Sequence, residues 1–502
     1  MSAPIRGSVS TASLWWRALT AVLFALLFPV AARAHLGSPN VFFEGPAGPF
    51  PVRVTIETPV VVPGLAQINV RVLSGRPESV TVLPVRWDAG TKGAPPADPA
   101  RLVSGETNLY HAQLWLMNSG AYSVFVDVRG PEGHGTAIVP VNSLSLQRLG
   151  MPRWMTFVFA GLGTLLLALL ISVVGSAIRE SGLPVGTEPT PGRRRLAGAG
   201  MVLSAVAALS LLGIGYNWWN RVDNDFMHNR LYQASRLQLE PQTQTNGLRR
   251  LQMSFESAYG RADHTPLVAD HGHLVHLFLV RKPAADVFAH LHPVREQSGK
   301  GSPHYTVTLP ELPAGDYQLY ADITHESGLT ETLTNTLHLD AVATNSVRPT
   351  PDADDTLTLA PVKAFGPTTL AGDYRLTPVN TGPFRAKQDT TLRFDLTTSN
   401  GTPAPLEPYL GMYGHLIIER EDGSVFTHLH PLGSISMASQ KRFAEREQAG
   451  YLANQPLDLL CSPAAAVLSF PYAFPQPGVY RVWLQTKLAG QVQTAAYSLK
   501  VD

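Results

Sequence analysis

The sequence predicts a mainly β protein: three immunoglobulin-like β-sandwich domains and a two-helix transmembrane hairpin. Three observations carry this expectation. The 41 prolines and 42 glycines recur between short runs rich in Val, Leu, Thr and Tyr, a pattern of many strands joined by turns. Two long apolar stretches contain no charged residue, and one histidine-rich phrase is written twice. At 502 residues the chain has room for three or four domains. Lys+Arg (39) and Asp+Glu (38) nearly cancel, so nothing points to nucleic acid as a partner. The single cysteine, Cys461, excludes an internal disulfide framework and any multi-cysteine zinc site.

The elements follow in chain order. Residues 1–34 read as a secretory signal peptide, with basic Arg6 and Arg17, an apolar run from Ala18 to Val30, and Ala32-Arg33-Ala34 as a small-x-small cleavage site. Cleavage there exposes His35, whose α-amine and ring could chelate copper as in histidine-brace families, with His111 or His134 as further ligand. Residues 35–150 form an exported β-sandwich, its strands marked by the alternation around Val52–Ile56, Ala66–Val72, Val80–Val85, Tyr122–Val128 and Thr136–Val141.

The two apolar stretches, residues 155–178 and 196–219, have the length of membrane-crossing helices. The loop between them, residues 179–195, carries Arg179, Arg193, Arg194 and Arg195, which predicts a cytoplasmic position for it. Export of the N-terminal domain predicts the same, because two crossings return the chain to the outer side. Gly200, Ser204 and Ala208 repeat a small residue every four positions, a spacing that suits close helix packing. Residues 220–250 read as a polar, partly helical stalk.

The duplicated phrase then defines two further sandwiches, residues 251–342 and 370–502, joined by a Pro-rich linker at 343–369. His276-Leu-Phe-Leu leads to Val287-Phe-Ala-His-Leu-His-Pro293, and His415-Leu-Ile-Ile leads to Val425-Phe-Thr-His-Leu-His-Pro431. The likeness extends to Gly315-Asp-Tyr and Gly478-Val-Tyr, which argues for duplication of a whole domain. The second copy carries an extra segment, roughly Ser434 to Pro463.

As hairpins, with His276 opposite His290 and His415 opposite His428, the two phrases place Leu277, Leu279, Val287 and Leu291 on one face. Leu416, Ile418, Val425 and Leu429 are their counterparts, and this apolar face is the core side. The other face carries His276, His290 and His292, or His415, His428 and His430. Opposed side chains lie about 5 Å apart, so three imidazoles can converge on an outer face away from the core. A three-histidine site suits copper, with zinc as the alternative. Met412 and Met437 lie within reach of the second site and His273 stands at Met412's position in the first, so the two sites should differ in softness.

The phrase and the Gly-Asp-Tyr strand entry resemble exported bacterial β-sandwich proteins of the YtkA-like kind. That resemblance implies an extracytoplasmic location and copper or heavy-metal handling. The reading is a non-enzymatic protein of the bacterial inner membrane with both soluble parts periplasmic. It would buffer, deliver or sense copper, with an envelope protein or metal acceptor as partner. The alternative is a metal-free adhesion or envelope-assembly module. A copper oxidase would need further ligands, and no catalytic motif is present.

Overall fold

A computed structural model describes residues 40–244, 247–256, 265–296, 303–341, 352–448 and 466–502. The expected signal peptide, His35, His264 and Cys461 lie outside the described residues. The described chain is mainly β, with two long apolar helices. Its strands form six sheets, and in each of three regions two sheets enclose an apolar core.

In the first region alternation drives Val52, Val54, Ile56, Ile68 and Val70 inward from one sheet, and Val80, Val82, Val124, Val126 and Val139 from the other. All five expected strands are present, at Phe50–Glu57, Gly64–Val72, Ser79–Arg86, Gly120–Gly130 and Gly133–Ser143. Asn40–Ala47 and Leu109–Leu116 are strands as well. Gly45 and Pro46 hide the first from a propensity reading, yet Asn40–Ala47 is an edge strand, where a missing N–H costs no ladder bond.

Helix α1 (Arg153–Glu180) and helix α2 (Pro191–Asn229) are each long and apolar enough to cross a membrane, and almost none of their apolar surface is buried. They pack on one another through small residues. A Cβ on Gly175 would meet Met201 Sδ at 2.6 Å, and one on Gly200 would meet Ile178 Cδ1 at 2.2 Å. The region expected to be a stalk is less separate than the sequence suggests. Helix α2 continues to Asn229, and Arg236–Thr243 is already a strand of the next sandwich, paired with Arg249–Glu256.

The duplicated regions share one plan. In each, the first strand of the motif hairpin pairs with the strand that begins at Gly315 or Gly478; the hairpin is internal to its sheet in the first copy and closes the sheet's edge in the second. The hairpin register differs from expectation by two residues: Phe278 stands opposite His290 and Ile417 opposite His428. A two-residue slip keeps every side chain on its face, whereas a one-residue slip would invert them all. Leu277, Leu279, Val287 and Leu291 therefore do enter one core, and Leu416, Ile418, Val425 and Leu429 the other.

The opposite face is not an outer surface. It packs against its counterpart in the other copy, burying Phe278, Phe288 and Tyr320 with Ile417, Phe426 and Trp483. Phe288 stacks on Trp483 at 4.8 Å and Phe426 on Tyr320 at 3.9 Å. Tyr320 and Trp483 occupy equivalent strand positions, as do Phe288 and Phe426, so the two stacks are related by a pseudo-twofold axis, as in an isologous dimer. The extra segment of the second copy supplies helix α3 (Met437–Glu447). Phe443 and Ala444 wedge it against Val85, Phe125 and Ile138 of the first sandwich and Leu329 of the second.

A candidate metal centre between the duplicated domains

Each triad assembles as the phrase implies, but inside the interface. Donor atoms of His276, His290 and His292 lie within 4.8 Å of one another, and so do those of His415, His428 and His430. Five of these six residues are at most 4% exposed, and His428 is partly buried. The triads abut: the His428 ring lies 5.8 Å from both the His276 and the His290 ring. The outer-face placement expected from sequence is thus corrected, because the polar-looking stripe is flanked by aromatics that stack on partners in the other copy.

The orientation of each ring follows from the acceptor on its far side. His276 Nε2 lies 3.0 Å from the Asp270 carbonyl and His415 Nε2 2.9 Å from the Tyr409 carbonyl. A carbonyl can only accept, so both rings carry their proton on Nε2 and present Nδ1 as a bare lone pair. His290 Nδ1 meets Gln485 Oε1 at 2.9 Å, an amide held in that orientation because its Nε2 donates to Thr356 Oγ1 at 2.7 Å. His292 Nδ1 donates to Asp355 Oδ1 at 3.1 Å, and His430 Nδ1 to the Ile435 carbonyl at 3.3 Å. His428 Nδ1 faces Asp322 Oδ2 at 3.7 Å.

On His276, His290, His292, His415 and His430 the inward nitrogen is therefore unprotonated. His276 Nδ1 and His290 Nε2 face each other at 3.1 Å, and His415 Nδ1 and His428 Nε2 repeat this at 3.1 Å. His292 Nε2 is buried with no hydrogen-bond partner. Two lone pairs at this separation repel, and a buried acceptor without a donor costs about 1–3 kcal/mol. A cation bound by the inward nitrogens removes both penalties. Ligand rings tied back by carbonyls, amides and carboxylates are the usual outer layer of a metal site.

Two of these outer partners cross the interface. Gln485, from the second copy, orients His290 of the first, and Asp322, from the first, faces His428 of the second. They occupy equivalent positions, opposite His415 and His276 respectively in the sheet register. Each triad takes its three ligands from its own domain and an outer neighbour from the other.

Burial dominates the electrostatics. It lowers the pKa of His276, and holds His290, His415 and His428 well below the ordinary imidazole value, with neighbouring imidazolium charges adding to the effect on each. His292 and His430 are lowered for the same first reason. All six are neutral at pH 7, as metal ligation requires. Burial pushes Asp322 up to about 7 and Asp355 up to about 6.

His273 belongs to a third group that could hold a metal ion, with Asp352 and Asp354. Its Nε2 lies 3.2 Å from Asp354 Oδ2, and its ring stacks at 4.0 Å on His292. Met412 and Met437 are buried together with Leu432 in an apolar cluster. His325, at a turn, is buried and pairs with Glu331 at 3.2 Å. Sequence reasoning also left Gln485, Asp322, Asp355 and Tyr409 unassigned. Their available trace was position, since Asp322 and Gln485 are equivalent residues of the duplicated strand.

A cavity of about 1090 Å³ reaches the centre from the side of the first sandwich and the exit of helix α2. It is lined by His276, His428 and His430 on one side and by Asn142, Leu231 and Tyr232 on the other. The centre therefore has a route to its surroundings.

Residues 232–341 and 369–502 match a family model described as a domain of unknown function (DUF8832). No curated protein matches the chain. Solved structures with some likeness include the ICAM-5 D1–D4 ectodomain fragment, 10% identical with a TM-score of 0.14, covering 88% of this chain and 74% of that one. Latent PorU from Porphyromonas gingivalis is 9% identical with a TM-score of 0.16, covering 92% of this chain and 34% of that one. Trypsin-activated alpha-2-macroglobulin from Escherichia coli is 9% identical with a TM-score of 0.18, covering 94% and 42%. Scores this low carry no argument, so the sandwich architecture rests on the sheets and cores themselves.

Proposed function

We propose that this chain is a membrane-anchored, extracytoplasmic metal-binding protein. Its two adjacent three-histidine sites hold copper at the junction of the duplicated domains, for buffering or delivery. One observation carries the reading: six imidazoles converge, and acceptors behind five of them hold the outer nitrogen so that the inward one is unprotonated. A core built only for stability would not leave His292 Nε2 unpartnered or set lone pairs face to face. All-nitrogen, three-coordinate sites suit copper, and zinc is the alternative occupant. The resemblance to YtkA-like exported proteins fits this reading.

The cavity lined by His276, His428 and His430 would admit the ion or a chelate carrying it. The two helices would keep the centre at a membrane surface, within reach of a donor or acceptor there. Metal analysis of the detergent-purified full chain is the test. About two copper ions per chain are expected, lost together with the variant His276→Ala/His290→Ala/His415→Ala/His428→Ala. Retention of neither copper nor zinc would sink the proposal and leave a metal-free adhesion or assembly module as the better reading.

A further inference from the structure

The duplicated domains enter their motif hairpins through matching turns, Asp270-His271-Gly272-His273 and Tyr409-Leu410-Gly411-Met412. Both are closed by backbone hydrogen bonds between first and last residues, Asp270 with His273 and Tyr409 with Met412. Both have two consecutive residues at positive φ, His271 (51°) with Gly272 (89°) and Leu410 (52°) with Gly411 (71°). The backbone is the same, and the side chain at the turn tip differs. In the first copy it is an imidazole, and in the second it is an isobutyl group.

The His271 tip lies at the other copy's triad, and the pseudo-twofold axis relates the Leu410 tip to the first triad. His271 Nε2 lies 3.2 Å from His430 Nε2, the third ligand of the second triad, and its ring lies 5.4 Å from that of His415. His430 Nδ1 is turned toward the Ile435 carbonyl, so its Nε2 is a lone pair. The far side of the His271 ring faces the second copy's turn, where a Cβ on Gly411 would lie 3.7 Å from its Nδ1, and Asp270 Oδ1 lies 3.7 Å from its Nε2. His292, the equivalent of His430, has no such neighbour for its Nε2, and the turn residue equivalent to His271 on that side is Leu410.

Resting on the metal-binding reading above, we propose that His271 is a fourth ligand donated across the domain interface. It makes the second triad a closed four-nitrogen site and leaves the first an open three-nitrogen site. With metal–nitrogen bonds of 2.0–2.1 Å, tetrahedral ligand nitrogens stand about 3.3 Å apart, and the 3.2 Å separation fits one edge of that tetrahedron. His271 stands outside the group whose donors all lie within 4.8 Å, so coordination draws its ring further inward. A closed site retains its ion, whereas a site with an open position exchanges it. One chain would then carry a retained ion that ties the two domains together and an exchangeable ion beside it.

The test uses the detergent-solubilised full chain and copper(I), with affinity read by competition against a chromophoric chelator. In a His290→Ala/His292→Ala background only the second site remains. There, X-ray absorption is expected to count about four nitrogen neighbours. His271→Leu should lower the count to three and weaken copper binding about 10–100-fold, the scale set by losing groups that support a metal site. Reciprocally, Leu410→His in a His428→Ala/His430→Ala background should tighten the first site by a similar factor. The second variant keeps the test decisive if the first fails to fold. Three nitrogens and an unchanged affinity with or without His271, or no gain from Leu410→His, overturn this inference while leaving the metal-binding reading intact. Absence of copper from the unmutated chain overturns that reading instead.

Discussion

Gln485→Leu is the sharpest probe of a centre built across an interface, because the residue sits in one domain and serves the triad of the other. Gln485 is fully buried, accepts from His290 Nδ1 at 2.9 Å and donates to Thr356 Oγ1 at 2.7 Å. Leucine preserves bulk but removes both bonds. The fully buried His290 N–H is then left with only the long 3.5 Å contact to Tyr409 Oη, at a cost of up to about 1–3 kcal/mol. The ring also loses the contact that selects its tautomer, so the proton can move to Nε2 and block the ligand position. Removing an outer partner of this kind lowers metal affinity about 10–100-fold, equivalent to about 1.4–2.7 kcal/mol. The assay is copper(I) competition in a His428→Ala/His430→Ala background, where only the first triad is read. Gln485→Glu, which restores an acceptor, should recover most of the affinity. If Gln485→Leu leaves the first triad's affinity unchanged, the argument that the domains orient each other's ligands is wrong.

Two further outcomes follow from buried charge. The metal-free chain should lose stability in acid: the folded-state pKa values of the six triad imidazoles and His271 are depressed by burial. Below the unfolded value of about 6.5 the unfolded chain binds more protons, so stability is intact above that pH and falls beneath it. The slope is up to about 1.4 kcal/mol per pH unit for each histidine until it takes its proton. Thermal melts from pH 7.5 to 5 should show the decline, copper should reduce it near neutrality, and a flat profile would contradict the burial argument. At the far end of the same interface Lys282 Nζ pairs with fully buried Glu419 at 2.6 Å. Lys282→Met strands that carboxylate and should cost up to about 3–5 kcal/mol at pH 8. The loss should be smaller at pH 5, because burial already raises the Glu419 pKa and protonation relieves the charge. Equal losses at both pH values would mean that the carboxylate is not the source.

The sequence by itself determined most of the strands, which side of each motif hairpin enters its own core, and which two triads share a face. The reason is local. Alternation in a strand has period two, so the assignment of Leu277 and Leu279 to the core and of His276 and Phe278 to the other face survived even a two-residue error in register. Charge-free runs of helical length likewise mark α1 and α2 without tertiary help. Local periodicity says that a face is not the core of its own sandwich, but not what covers it. A stripe of histidine, phenylalanine and tryptophan could line a surface groove or meet a copy of itself. Only the tertiary structure decided for the second, because stacking Phe288 on Trp483 and Phe426 on Tyr320 pairs residues about 195 and 106 positions apart. Those stacks bring Gln485 to His290, Asp322 to His428 and His271 to His430. Two separate triads thereby become one buried centre, with each half held in place by the other.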